Sequence, residues 1–94
     1  MEKFVVDTSI NVDRECNIVP AIKVIRQGLS IGLKEAKGIA DEARDEHFGV
    51  SVRMSAEQFG RVMMAKEFYR ATEAQLSVIV RNVTTVQELK HDYS

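Results

Sequence analysis

Cys16, His47 and His91 carry the most reactive side chains of this 94-residue chain, and their spacing assembles no chemistry. The two histidines are 44 residues apart, and neither has a carboxylate at helical i, i+4 spacing, so no metal site is expected. Cys16 is the single cysteine, which excludes an internal disulfide framework and a cysteine-based zinc site. With only distant histidines to act as a base, it reads as a small residue in a loop or at the start of a helix. No serine is expected on a strand-to-helix nucleophile elbow. Gly28 and Gly32 precede Lys34, but the glycine spacing is one residue short of a phosphate-binding loop and follows a helix rather than a strand. Asp41, Glu42, Asp45 and Glu46 lack the glycine turn and alternating ligands of a calcium loop and read as a solvated helix face. No enzymatic activity and no cofactor are expected. What remains is a set of four cations, Lys23, Arg26, Lys34 and Lys37, on positions that the apolar spacing leaves exposed. Their chemistry is the recognition of anionic groups.

Thirteen basic and fourteen acidic residues leave a net charge of −1, so nothing pulls the whole molecule toward nucleic acid or anionic lipid. Binding of that kind would need a local patch, and no aromatic side chains interleave with the four cations to stack bases, so nucleic acid is not the expected partner. The N-terminus lacks the apolar run of a signal peptide, and no apolar stretch approaches the roughly 20 residues that span a bilayer. The expectation is a soluble, cytoplasmic single domain with no membrane partner, large enough for one modest core.

The elements that must position the cations follow from periodicity. Residues 3–8 read as a strand, with Phe4 and Val6 on one face. Asn17 is the expected cap of a first helix that carries Pro20 in its first turn and the stripe Ile18, Ile22, Ile25 and Leu29, widened by Val24. Gly28-Leu-Ser-Ile-Gly32 is a joint in which Ser30 is expected to cap a second helix buried through Leu33, Ala36, Ile39 or Ala40, and Ala43. Gly49 suits a left-handed turn before a strand in which Val50, Val52 and Met54 alternate inward. Ser55-Ala-Glu-Gln58 is a capping-box pattern opening a third helix to about Ala71, with Phe59, Val62, Ala65 and Tyr69 in the core and Met63 at its margin. Met64 and Phe68 point elsewhere and form a possible second contact surface. A last strand over 75–82 turns Leu76, Val78 and Val80 inward. Residues 1–83 thus form one α+β domain of order β-α-α-β-α-β, a small three-stranded antiparallel sheet with three helices on one face. Residues 84–94 are a polar tail, flexible or with one helical turn over Thr85–Glu88.

Ile22-Lys-Val-Ile-Arg26 followed, six residues on, by Leu33-Lys-Glu-Ala-Lys37 resembles the C-terminal domain of the bacterial ribosomal stalk protein of the large subunit. Gly32-Leu-Lys-Glu-Ala-Lys37 is similar to that domain's hallmark run, and the resemblance extends over about residues 2–82. It implies the same order of elements and a hairpin that binds translational GTPases. By position the implied contact residues are Lys23, Arg26, Gly32, Leu33, Lys34 and Lys37. Ile18 stands where the family has a lysine, Lys66 where it has a leucine, and Met63, Met64 and Phe68 replace charged residues. The family's N-terminal dimerisation region and hinge are missing, so the expectation is a stand-alone protein-binding module. It would mimic or compete with the stalk, as a phage or plasmid protein acting on its host would.

The adaptor that delivers N-degron substrates to the bacterial Clp protease has the same fold and supplies an alternative. Ala36 to Val50 keeps its spacing, and Asn11 and Asp13 are similar to its acidic loop, whereas Arg44 stands at its pocket histidine. A further alternative is weak nucleic-acid binding through the four cations. The oligomeric state stays open.

Overall fold

The computed structural model describes residues 3–85. The elements are β1 (Phe4–Asn11), α1 (Val19–Leu29), α2 (Leu33–Asp45), β2 (Val50–Ser55), α3 (Ala56–Phe68) and β3 (Ser77–Thr85). The antiparallel sheet has the order β2-β1-β3, so the first strand is central and both later strands are edges. This is the α+β domain with three helices and a three-stranded sheet that the residue pattern predicts.

β1 is longer than expected because Ile10 is fully buried and Asn11 still pairs with Ser77. Val6, Thr8 and Ile10 share the helix-facing side with Met54, Val52 and Val50 of β2. The Thr8 hydroxyl lies in this apolar layer and donates to the Val52 carbonyl at 2.8 Å, which removes the penalty of burying it unpaired. From above, Ala21, Val24, Ile25 and Leu29 of α1, Ala36, Ala40 and Ala43 of α2, and Val62 and Ala65 of α3 close one continuous core.

Two local signals work as expected and a third is displaced. The cap position of α1 is Ile18 rather than Asn17, although the Asn17 side chain, one residue earlier, accepts from the Val19 N–H at 3.0 Å. Ser55 and Gln58 form the reciprocal capping box of α3, at 3.1 and 2.9 Å. Gly49 adopts φ 80° in the turn into β2.

Other expectations are corrected. Ser30 does not cap α2; it takes the left-handed conformation (φ 56°, ψ 45°) that closes α1, and Ile31 N–H reaches back to the Arg26 carbonyl. Gly32, without a side chain to contribute, is the residue that enters α2. Leu33 is outside the core, 57% exposed, because burial in α2 begins one turn later at Ala36. α3 stops at Phe68, since Arg70 turns left-handed at φ 53°. Tyr69, expected inside, lies at the surface against α1. Leu76 is fully buried but precedes β3, in a single turn that Thr72 and Gln75 cap reciprocally at 2.9 and 3.2 Å. Val80 pairs with buried Thr8 and so shares the helix-facing side, yet it is 44% exposed because no helix packs extensively on β3. A bulge at Arg81, between the pairs Thr8–Val80 and Asp7–Asn82, shifts the alternation beyond it. β3 runs through Thr84 and Thr85, and the rest of the expected tail and helical turn lies outside the described residues.

Candidate interaction surface

α1 is the middle helix of the layer, with α2 on one flank and α3 on the other. Its buried face, Ala21, Val24, Ile25, Gly28 and Leu29, leaves Lys23, Arg26 and Gln27 outward. Lys23 and Arg26 are separated by three residues and therefore neighbour each other on one helical face. Arg26 also sits in the last turn of α1, where a cation complements the helix dipole. On α2, Gly32, Leu33, Lys34 and Lys37 are all exposed in the first turns, and Lys34 and Lys37 are again three apart. All six residues implied by the stalk resemblance reach solvent.

Three basic side chains are taken up by internal ion pairs, whereas Lys3, Arg14, Arg61, Arg70 and Arg81 form none among the described residues. Arg44 is held by Asp41 at 3.4 Å and by Asp45 at 3.7 Å, Arg53 by Asp7 at 2.8 Å, and Lys66 by Glu73. Among the described residues none of Lys23, Arg26, Lys34 and Lys37 is paired with a carboxylate. The Lys66 ammonium in turn holds the Glu73 carboxyl below its ordinary value, through a hydrogen bond and its charge.

The α1–α3 junction contributes a feature that spacing along the chain does not show. A Cβ on Gly28 would stand 2.7 Å from Val62 Cα, so only glycine lets the two backbones approach this closely. Arg61 Nε donates to the Gly28 carbonyl at 3.4 Å across the same seam. At its far end the Tyr69 hydroxyl donates to Gln27 Oε1 at 2.8 Å, and Lys23 Nζ lies 5.9 Å from the Tyr69 ring centroid, within cation–π range. Phe68 meets the Tyr69 ring edge-on at 5.0 Å. Met64 and Phe68 are 72% and 74% exposed, one turn apart. Lys23 of α1 and Phe68 of α3, on surfaces separate along the chain, are therefore linked through Tyr69. This one ring lies beside one of the four cations, a neighbour that local spacing does not show.

Other candidates do not assemble. Gly28-Leu-Ser30-Ile-Gly32 has the glycine and serine spacing of a nucleophile elbow, a match legible in the chain. Ser30 nevertheless joins two helices, not a strand to a helix, and no side chain is hydrogen-bonded to it. Asp13, in the adaptor-like loop, spends a carboxylate oxygen on the Glu15 N–H at 3.0 Å, and Arg44 faces its own helix's acids. No described group of three or more His, Cys, Asp or Glu side chains could hold a metal ion. Among the described residues no helix is long and apolar enough to cross a membrane. Neither a family model, nor a curated protein, nor a solved structure matches the chain.

Proposed function

We propose that this chain is a non-enzymatic protein-interaction module whose basic face, Lys23, Arg26, Lys34 and Lys37, docks on an acidic surface of another protein. A translational GTPase is the partner that the stalk resemblance implies, with the module acting as a mimic or competitor of the ribosomal stalk. The single observation behind this reading is the clustering of the four exposed cations, Lys23 beside Arg26 on α1 and Lys34 beside Lys37 in the first turns of α2, none of them ion-paired among the described residues. Exposed cations without internal partners pay little to meet external carboxylates, and they accelerate encounter with an acidic partner.

Their energetic reach is bounded. A solvent-exposed ion pair contributes roughly 0.2–1 kcal/mol, so four of them supply about 1–4 kcal/mol, short of the roughly 8 kcal/mol of a micromolar complex. The cations steer and orient, and affinity needs a desolvated apolar contact as well.

Titration calorimetry of the purified chain against purified bacterial translational GTPases tests the reading. At least one factor should bind with an affinity that falls as salt is raised. Arg26→Glu with Lys37→Glu should weaken it tenfold or more while thermal unfolding stays unchanged. Binding by none of the factors, or binding indifferent to the double reversal, overturns it.

A further inference from the structure

We propose that the module reads a two-part signal in its partner: a short acidic segment carrying one large apolar residue. The carboxylates meet Lys23, Arg26 and Arg61, and the apolar residue seats on Phe68 and Met64 beside Tyr69. This rests on the interaction-module reading and names the partner chemistry of that surface.

Three observations carry it. First, the two halves form one platform, because Tyr69 is bonded to Gln27, lies under Lys23 and touches Phe68. Second, the platform is pre-organised: the Gly28–Val62 approach and the Arg61 bond to the Gly28 carbonyl hold α1 and α3 in fixed register. Binding there orders little that is not already ordered. Third, Phe68 and Met64 are left exposed although the core is closed without them, and on the other flank of Met64 a groove runs past Met63 and Ala71. Methionine, aromatic and arginine side chains are the types that interface centres favour.

Charge complementarity selects the occupant. Arg61 is exposed and, like Lys23 and Arg26, forms no ion pair among the described residues, so cations border the apolar pair on the α1 side. A purely apolar ligand would leave them idle, and a purely acidic one would leave Phe68 and Met64 in water. Single-stranded nucleic acid fits less well. Phe68 and Tyr69 stand nearly perpendicular, at 87°, and offer no parallel shelf for successive bases.

Selection from a random peptide library displayed on phage, panned against the intact chain, tests this. Sequences enriched on the wild type and depleted by counter-selection on Met64→Ser/Phe68→Ser should combine two or more Asp or Glu with a Phe, Leu or Trp within a few residues. In fluorescence anisotropy the best such peptide should lose tenfold or more in affinity on Met64→Ser/Phe68→Ser with its salt dependence kept. Arg26→Glu with Lys23→Glu should weaken it comparably and flatten that dependence. Both double variants change exposed side chains, and circular dichroism verifies that they fold. Acidic peptides without an apolar residue, or affinity indifferent to Met64→Ser/Phe68→Ser, overturn the two-part signal and leave the basic-face reading standing. Apolar peptides without acids, or no enrichment at all, overturn the two-part signal, and the titration against translational GTPases decides the basic-face reading separately. Labelled oligothymidine binding more tightly than the peptide, with loss on Phe68→Ser, overturns the peptide in favour of nucleic acid.

Discussion

The two flanks of α1 are built differently. Toward α2 the neighbour is close along the chain, the connection is only three residues, and the buried contributions of α2 are the alanines 36, 40 and 43. Toward α3 the intervening chain is 26 residues long, yet α3 is the helix on which α1 packs most extensively. That flank has a glycine-enabled backbone approach, a side chain bonded to a backbone carbonyl, and a tyrosine bonded to a glutamine. The hairpin that stands out in the chain is thus the smaller of the two interfaces. Proximity in sequence lowers the cost of closing a loop, but contact strength depends on how near the backbones come and on what they pair.

The comparison can be broken from its tightest point outward. Gly28→Ala places a methyl group against the Val62 backbone, which cannot swing away as a side-chain tip could. It should destabilise the domain by about 2 kcal/mol, even though alanine is the better helix former. For a chain of this size that is a fall in melting temperature of about 10 °C, measurable by calorimetry. Equal or greater stability would show that the α1–α3 seam is loose.

Tyr69→Phe removes one surface hydrogen bond to Gln27 and keeps the ring under Lys23. A loss of about 0.5–1 kcal/mol in chemical denaturation is expected. Leu33→Ala, on the α2 flank, should change stability by less than about 0.5 kcal/mol, because the side chain is mostly in water. A cost above 1 kcal/mol would show that the first turn of α2 packs after all.

The smallest effect is electrostatic and lies at the end of α3. Lys66 holds the Glu73 carboxyl below its ordinary value, so this stabilisation is present above the ordinary glutamate range. It is lost as pH falls through the lowered folded-state value. Glu73→Gln should therefore melt slightly lower than wild type at neutral pH and equal to it in strong acid. A difference that persists unchanged into strong acid would refute the ion pair as its source.

Much of this was legible in the residues because the signals are local. Ser55 and Gln58 meet across one helical turn, and the same pattern at Thr72 and Gln75 was equally readable and caps the turn that buries Leu76. Ser30 was misplaced because a left-handed helix closure and an N-cap both suit a small polar residue in a joint, and only the backbone path separates them. Val80 was misplaced because alternation says which face a residue takes and not whether anything covers that face. For the candidate surface, the exposure of Lys23, Arg26, Lys34 and Lys37 followed from the stripes of α1 and α2, whereas the offset of Met64 and Phe68 on α3 is equally compatible with burial against another element, and the structure shows them exposed.

The order of the elements, the capping box of α3 and the identity of the outward cations were determined by the sequence alone, since each depends on residues within a turn or two of one another. The tertiary structure decided which exposed residues act together. Tyr69 reads as one more member of an apolar stripe until α1 arrives beside it with Gln27 and Lys23. That arrival depends on a glycine meeting a valine 34 positions away, a contact between distant segments that no local period encodes.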